Sequence, residues 1–318
     1  MQVEEIRRAV VVGGGVMGSG IALVCARTLP VDLVDVSPQA LNLSMTRARS
    51  YVAAMVENEV WTEDQGQEAL GRINLTTDMA AALKGASLVM EAVPENMDLK
   101  KDVFRRMDSL APSGTVLATN TSSFRIGEIA SATNRPRKVI GIHWINPPYI
   151  MPIVEIVRPD GASQETLDLA VGFIRRLGWT PVVSKDVPGF IINRFQHALV
   201  NIALSLVEDG VASIEDIDTA CRLSFALRLP MYGPLKSHDL AVNKKTSLAT
   251  QEYIYRETGH PIYRPSPLLR QKVEAGELGI LTGKGWYDYS GQSLEELQKT
   301  RDRQIIQMLR FLESIGLR

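Results

Sequence analysis

The chain has 318 residues, 45% of them hydrophobic and 22% charged, with a formal net charge of -1. That length buries a sizeable core in one large or two ordinary domains, and the composition is ordinary for a soluble globular protein. The near-neutral charge, with basic residues scattered, points away from nucleic-acid and membrane partners, and no apolar run approaches the ~18 residues of a membrane span.

The N-terminal stretch "MQVEEIRRAVVVGGG" runs directly into a strand pattern, with no apolar signal core. Cys25 and Cys221 sit in apolar helical patterns, which fits a reducing compartment. The expected location is therefore cytoplasmic.

Along the first half, β-branched runs at 7–13, 31–35, 87–93, 114–120 and 138–144 alternate with stretches of helical spacing. This βαβα pattern predicts a parallel sheet with helices on both faces, continued by runs at 152–157 and 180–185. After "KDVPGF" (185–190) the pattern becomes helical. One long helix stops at Gly210, Ser213 opens another, and further helices are predicted at 243–258 and 266–278. A last amphipathic helix carries Leu294, Leu297, Ile305, Leu309 and Leu312 on one side. The expected organisation is an α/β domain over 1–186, with a helical arm at about 38–72, and an all-helical domain over 187–318.

The first strand runs into Gly13-x-Gly15-x-x-Gly18, which opens a helix. The first glycine permits a tight turn, the second lets backbone approach a pyrophosphate, and the third lets helix and strand pack closely. With Val16 and Met17, this loop is the candidate cofactor site of a Rossmann-type, doubly wound sheet. Asp35 ends the next strand, where an acid accepts from ribose hydroxyls. No Arg or Lys follows it to receive a 2′-phosphate, so NAD is favoured over NADP. The competing reading is a tight turn and an ordinary surface aspartate.

Farther on, "GIHWINPPYIMPIVEIV" places His143 at a strand end and Glu155 beyond a Pro147-Pro148 turn. A chain reversal there brings the carboxylate to one ring nitrogen and leaves the other free to accept a hydroxyl proton. A structural histidine is the alternative. Asn120 and Ser122 lie in "ATNTSSF" at another strand end, where a doubly wound sheet binds ligands; capping of the next helix is equally open. Asn193 in "PGFIINR" faces either a cleft or its own helix terminus. His197, His238 and His260 show no metal-ligand spacing, so no metal is expected.

Together these stretches resemble the 3-hydroxyacyl-CoA dehydrogenase family over nearly the whole chain. The likeness rests on the glycine loop, "VMEAVPENMDLKKDVF" (89–104), "TNTSSF" (119–124), "GIHWINPP" (141–148), "KDVPGFIINR" (185–194) and 264–289. The resemblance implies NAD-dependent oxidation of a 3-hydroxy group to a ketone. It assigns His143 and Glu155 as the catalytic pair, Ser122 and Asn193 to the substrate side, and Glu95, Asn96 and Lys100 to the nicotinamide ribose. It also implies a homodimer built through the helical domain.

Three departures qualify the substrate. The stretch 50–71 matches the arm that carries basic residues near CoA in acyl-CoA members, yet it holds Glu57, Glu59, Glu63, Asp64 and Glu68 and no Lys or Arg. Arg228 precedes the "GP" segment, as in small hydroxy-acid members such as the gulonate and carnitine dehydrogenases. It suits a substrate carboxylate, or it anchors the helical domain to a nearby acid. "DLAVNKK" (239–245) replaces a Gly-Leu-Asp-like turn. The leading expectation is a small-molecule dehydrogenase for a free 3-hydroxy acid. A CoA thioester is the alternative, and a non-catalytic NAD-binding or structural protein is the third reading.

Overall fold

In the computed structural model, which describes residues 3–317, the β-branched runs become strands β1 (Ala9–Val12), β2 (Val31–Val34), β3 (Ile73–Thr76), β4 (Leu88–Glu91), β5 (Val116–Thr119), β6 (Val139–Trp144), β7 (Ile153–Arg158) and β8 (Thr180–Lys185). They form one sheet in the order β3-β2-β1-β4-β5-β6-β7-β8. Strands β1, β2, β4, β5 and β6 are buried along their length, as expected where helices cover both faces. The helices of this half are α1 (Val16–Ala26), α2 (Pro38–Glu57), α3 (Glu63–Gly71), α4 (Met79–Leu83), α5 (Met97–Leu110), α6 (Ile126–Ala130) and α7 (Gln164–Arg176).

The strand period of two sorts side chains between two cores. Val11 joins Ile21, Leu23 and Phe173 on one face, while Val10 and Val12 join Phe104 and Met107 on the other. Strand β1 pairs with both β2 and β4, so the chain direction switches there and a crevice opens at the carboxyl ends of these strands.

Two features differ from the sequence expectation. Strand β3 lies at a sheet edge, half exposed, and its Asn74 and Thr76 dilute the β-branched signal. Strand β7 runs antiparallel to β6, in keeping with the chain reversal expected at Pro147-Pro148 but departing from an all-parallel sheet. Only residues 145–152 join them, too few for the dozen or more a parallel crossover needs.

Contacts divide the chain into two compact units, one up to Val200 and one from Asn201 on. Helix α8 (Ile192–Glu208) spans the division, and Gly210 (φ 64°) follows its end. The second unit contains α9 (Ile214–Arg222), α10 (Leu229–Ala241), α11 (Lys244–Thr258), α12 (Pro267–Glu274) and α13 (Leu294–Ser314). Ser213 caps α9 by accepting from the Asp216 N–H at 3.0 Å. On α13, Leu297, Ile305, Leu309 and Leu312 are half-buried, whereas Leu294 stays exposed at the first turn.

The departure at 239–245 is a buried ionic staple. Asp239 and Lys244 pair with no side-chain exposure. The aspartate also accepts from the Trp286 N–H at 3.1 Å, the Tyr287 N–H at 3.0 Å and the Tyr289 hydroxyl at 3.0 Å. Asn243 caps α11 by accepting from the Lys245 N–H. Among the described residues no helix is long and apolar enough to cross a membrane, and no cluster of three His, Cys, Asp or Glu could hold a metal ion.

Candidate active site

The glycine loop joins β1 to α1 at the switch point. Gly13 has φ 112°, and a Cβ on it would lie 2.6 Å from the Ala92 carbonyl oxygen on the neighbouring segment. A Cβ on Gly18 would strike the Gly13 carbonyl. Gly15 caps α1 without any side-chain bond, so the first-turn N–H groups of Val16 and Met17 stay available for phosphate oxygens. The loop peptide is held from both sides. The Gly14 N–H donates to Asp35 at 2.7 Å, and the Gly14 carbonyl accepts from the Ser44 hydroxyl at 2.5 Å and the Arg47 guanidinium at 3.3 Å.

A groove of about 680 Å³ follows this loop, lined by Gly13, Gly15, Val16, Met17, Asp35, Leu43, Arg47, Val93 and Pro94 among others. These residues fit a dinucleotide: bare helix N–H groups for the pyrophosphate and an acid for the ribose. Arg47 qualifies the sequence reading that no cation stands beside Asp35. Helix α2 brings it into the same groove from twelve positions on, beyond the reach of a local reading.

A second cavity, about 490 Å³, is lined by Met17, Glu95, Asn120, Ser122, His143, Trp144, Ile145, Asn146, Ile192, Asn193 and Gln196. Met17 borders both spaces. A dinucleotide laid with its pyrophosphate on the loop and its ribose at Asp35 therefore extends past Met17 toward His143.

The antiparallel register sets His143 directly opposite Glu155. Side chains at paired positions share a face, and His143 Nδ1 lies 2.7 Å from Glu155 Oε2. The other carboxylate oxygen accepts from the Ile191 and Ile192 N–H groups at 2.9 and 3.1 Å, at the start of α8. One wholly buried acid thus fixes both the imidazole and a helix N-terminus. Phe190 packs edge-on to the imidazole, with centroids 5.6 Å apart.

Burial acts to raise the Glu155 pKa, but the His143 hydrogen bond and the two backbone N–H bonds outweigh it and hold the carboxyl below its ordinary value. An acid whose folded pKa is depressed contributes stability above its unfolded value, about 4.3, and loses it as pH falls through the folded value. Urea midpoints measured from neutral pH down to about pH 3 should therefore fall less steeply for Glu155→Gln than for the wild type.

The loop after β5 is tied to the same centre. Asn120 accepts from the Trp144 N–H at 2.8 Å while lining the cavity, and Asn193 donates to the Ser122 carbonyl at 2.7 Å. Glu95 accepts from the Thr121 and Ser123 hydroxyls and from the Ser122 N–H at 3.2 Å. Behind it, Lys100 is buried between Glu95 at 3.3 Å and Glu91 at 2.8 Å. Burial works to raise the Glu95 pKa, but the bonds from Thr121 and Ser123 and the charge of Lys100 carry it below its ordinary value.

Glu91 and Thr119, which bond each other at 2.7 Å, escaped the sequence reading. A glutamate closing the apolar run "SLVME" was the available signal. Arg228 belongs to the helical unit. It lines a recess there with Leu223, Leu227, Ile305 and Leu309 and is not among the residues that line the His143 cavity; it forms no ion pair among the described residues, and its Nε is buried without a hydrogen-bond partner.

Comparison with known proteins places the chain in one family. The NAD-binding domain of 3-hydroxyacyl-CoA dehydrogenase matches residues 8–187, and the C-terminal domain of the same enzymes matches 189–289. A probable 3-hydroxybutyryl-CoA dehydrogenase of Bacillus subtilis is 38% identical over 286 residues, covering 90% of this chain and 98% of that protein. The 5-formyl-3-hydroxy-2-methylpyridine 4-carboxylate 5-dehydrogenase of Mesorhizobium japonicum is 33% identical over 318 residues, covering 97% and 99%. The solved 3-hydroxyacyl-CoA dehydrogenase of Archaeoglobus fulgidus superposes with a TM-score of 0.81 at 31% identity, covering 98% of this chain and all of that one.

The doubly wound sheet, the glycine loop and these relatives define an NAD-dependent dehydrogenase acting on a hydroxyl group. The chain belongs to the 3-hydroxyacyl-CoA dehydrogenase family.

Proposed function

We propose that the protein interconverts a small 3-hydroxy acid, taken as a free carboxylate, and its 3-keto form. Bound NAD supplies the hydride acceptor. His143 accepts the hydroxyl proton on Nε2 as the carbonyl forms, and Glu155 stabilises the resulting imidazolium from the Nδ1 side. Ser122 and Asn193 donate to the substrate oxygen, with Asn193 oriented by its bond to the Ser122 carbonyl. The Gly13–Gly18 loop, Asp35, Glu95, Lys100 and Asn120 hold the dinucleotide.

The observation that carries the free-acid reading is Arg228. Arg228 lines a recess of the helical unit with Leu223, Ser224, Leu227, Ile305 and Leu309, none of which lines the His143 cavity; among the described residues it has no acid partner and its Nε is buried without a hydrogen bond, as suits a carboxylate. The absence of Lys and Arg from 50–71 supports the same reading, since nothing there meets the phosphates of CoA.

The second reading, a CoA thioester, is favoured by the names of two relatives and by the lining of the His143 cavity. No lysine or arginine lines it, as suits an uncharged reacting group.

Arg228→Met separates the two. Steady-state rates with 3-hydroxybutyrate and with 3-hydroxybutyryl-CoA should show kcat/KM for the free acid falling about a hundredfold and the thioester rate unchanged. Turnover of the thioester by the wild type with none of any free hydroxy acid would overturn the free-acid reading.

We also place the enzyme as a homodimer in the cytoplasm. Exposed Phe195, Leu199, Leu204, Ile214, Ile306 and Phe311 on α8, α9 and α13 support self-association, and both cysteines are free, as a reducing compartment keeps them.

A further inference from the structure

The charges around the His143 cavity are not balanced. Lys100 is the cation of its polar cluster, is only 1% exposed, and lies between two glutamates. Glu91 is wholly buried and accepts from the Lys100 ammonium, the Thr119 hydroxyl and the Val93 N–H. Two carboxylates on one ammonium leave one negative charge. Glu95 is the member that reaches the cavity, with 37% of its side chain exposed. Around the rest of that lining, His143 is matched by Glu155 behind it, and the other residues are Met17, Asn120, Ser122, Trp144, Ile145, Asn146, Ile192, Asn193 and Gln196. Among the described residues that line this space there is no lysine or arginine.

The dinucleotide groove enters this cavity at Met17, and Pro94, next to Glu95 in sequence, lines that groove. The nicotinamide end of a bound dinucleotide therefore approaches Glu95. The oxidised ring carries a positive charge and the reduced ring carries none.

Resting on the dehydrogenase reading above, we infer that the carboxylate of Glu95, the exposed end of a cluster with two carboxylates and one ammonium, selects the oxidised cofactor: the Glu91–Lys100–Glu95 cluster sets the ratio of NAD+ to NADH affinity. Lys100 and Glu91 are positioning residues in this device. They hold the Glu95 carboxylate at the cavity wall and cancel each other's charge. A purely structural Glu95, ordering the 121–123 loop, would change both affinities together and leave their ratio alone.

The test is the pair of dissociation constants for NAD+ and NADH, measured by calorimetry on the intact protein without substrate. Glu95→Gln keeps the size of the side chain and removes its charge. The ratio Kd(NADH)/Kd(NAD+) should fall roughly tenfold in this variant, the scale of one charge a few ångströms from another in a partly solvated site. Gln196→Lys, at an exposed position on α8, adds a positive charge to the same cavity and should lower the ratio in the same direction by about threefold. It carries the test alone if Glu95→Gln does not fold. An unchanged ratio in the folded variants, with both cofactor forms still bound, overturns the inference. Failure of the wild type to bind either form counts against the dehydrogenase reading instead.

Discussion

Replacing His143 with alanine should lower turnover by about a thousandfold while the dissociation constant for NAD stays within roughly twofold of the wild type. The separation follows from placement. The imidazole lines the cavity beyond Met17, whereas the phosphate-facing N–H groups and the ribose acid lie in the groove on the other side. Without the ring, a secondary hydroxyl must lose its proton to water during hydride loss, which is where general-base catalysis contributes most. Glu155→Gln should lower turnover less, by about a hundredfold. Its amide can still meet the ring but cannot stabilise the imidazolium as a carboxylate does. Calorimetric NAD binding beside steady-state rates checks both; a His143→Ala enzyme of near wild-type turnover removes the ring from the chemistry.

Replacing Asp239 with leucine should destabilise the helical unit by about 3–5 kcal/mol, because it leaves the Lys244 ammonium buried without its counter-charge. Among the described residues, its other compensation is the Trp286 ring, 5.1 Å from the ammonium. Lys244→Met should cost less, since Asp239 keeps three neutral donors from Trp286, Tyr287 and Tyr289. Leucine and methionine together should recover part of the single-variant loss, as paired apolar replacements of buried ions often do. Urea unfolding of the four proteins tests this; equal costs for the two single variants would show that the staple carries no net charge penalty.

The substitution at 239–245 shows where sequence reading stopped. The sequence marked 239–245 only as a departure from the family pattern, and the fold reveals that residues 285–289 close over Lys244. A Cβ on Gly285 would lie 2.2 Å from the Asp239 carboxylate, so even that glycine is part of the closure. By contrast, the glycine loop and Asp35 were legible because strand, turn, helix and acid follow one another within a single βαβ unit. His143 and Glu155 were legible as residue types at a strand end and across a turn. Their contact was expected from the chain reversal but not fixed by spacing, because it depends on antiparallel register, and a slip of one residue would turn the carboxylate to the other face. Glu91 was hidden for a different reason. Its partners Lys100 and Thr119 lie on other elements, and a lone glutamate closing an apolar strand gives no sign of what neutralises it. Strand β3 lacked pattern altogether, with four residues and two of them polar.

The account depends on the Glu155 carboxylate holding a proton on His143 Nδ1, so that Nε2 presents a lone pair to the substrate hydroxyl. Nitrogen-15 NMR of labelled imidazole in the NAD complex at neutral pH reads this directly. The account predicts a protonated Nδ1 and a bare Nε2 for His143, with that preference weakened in Glu155→Gln. A proton found on Nε2, or a tautomer indifferent to Glu155, would contradict it.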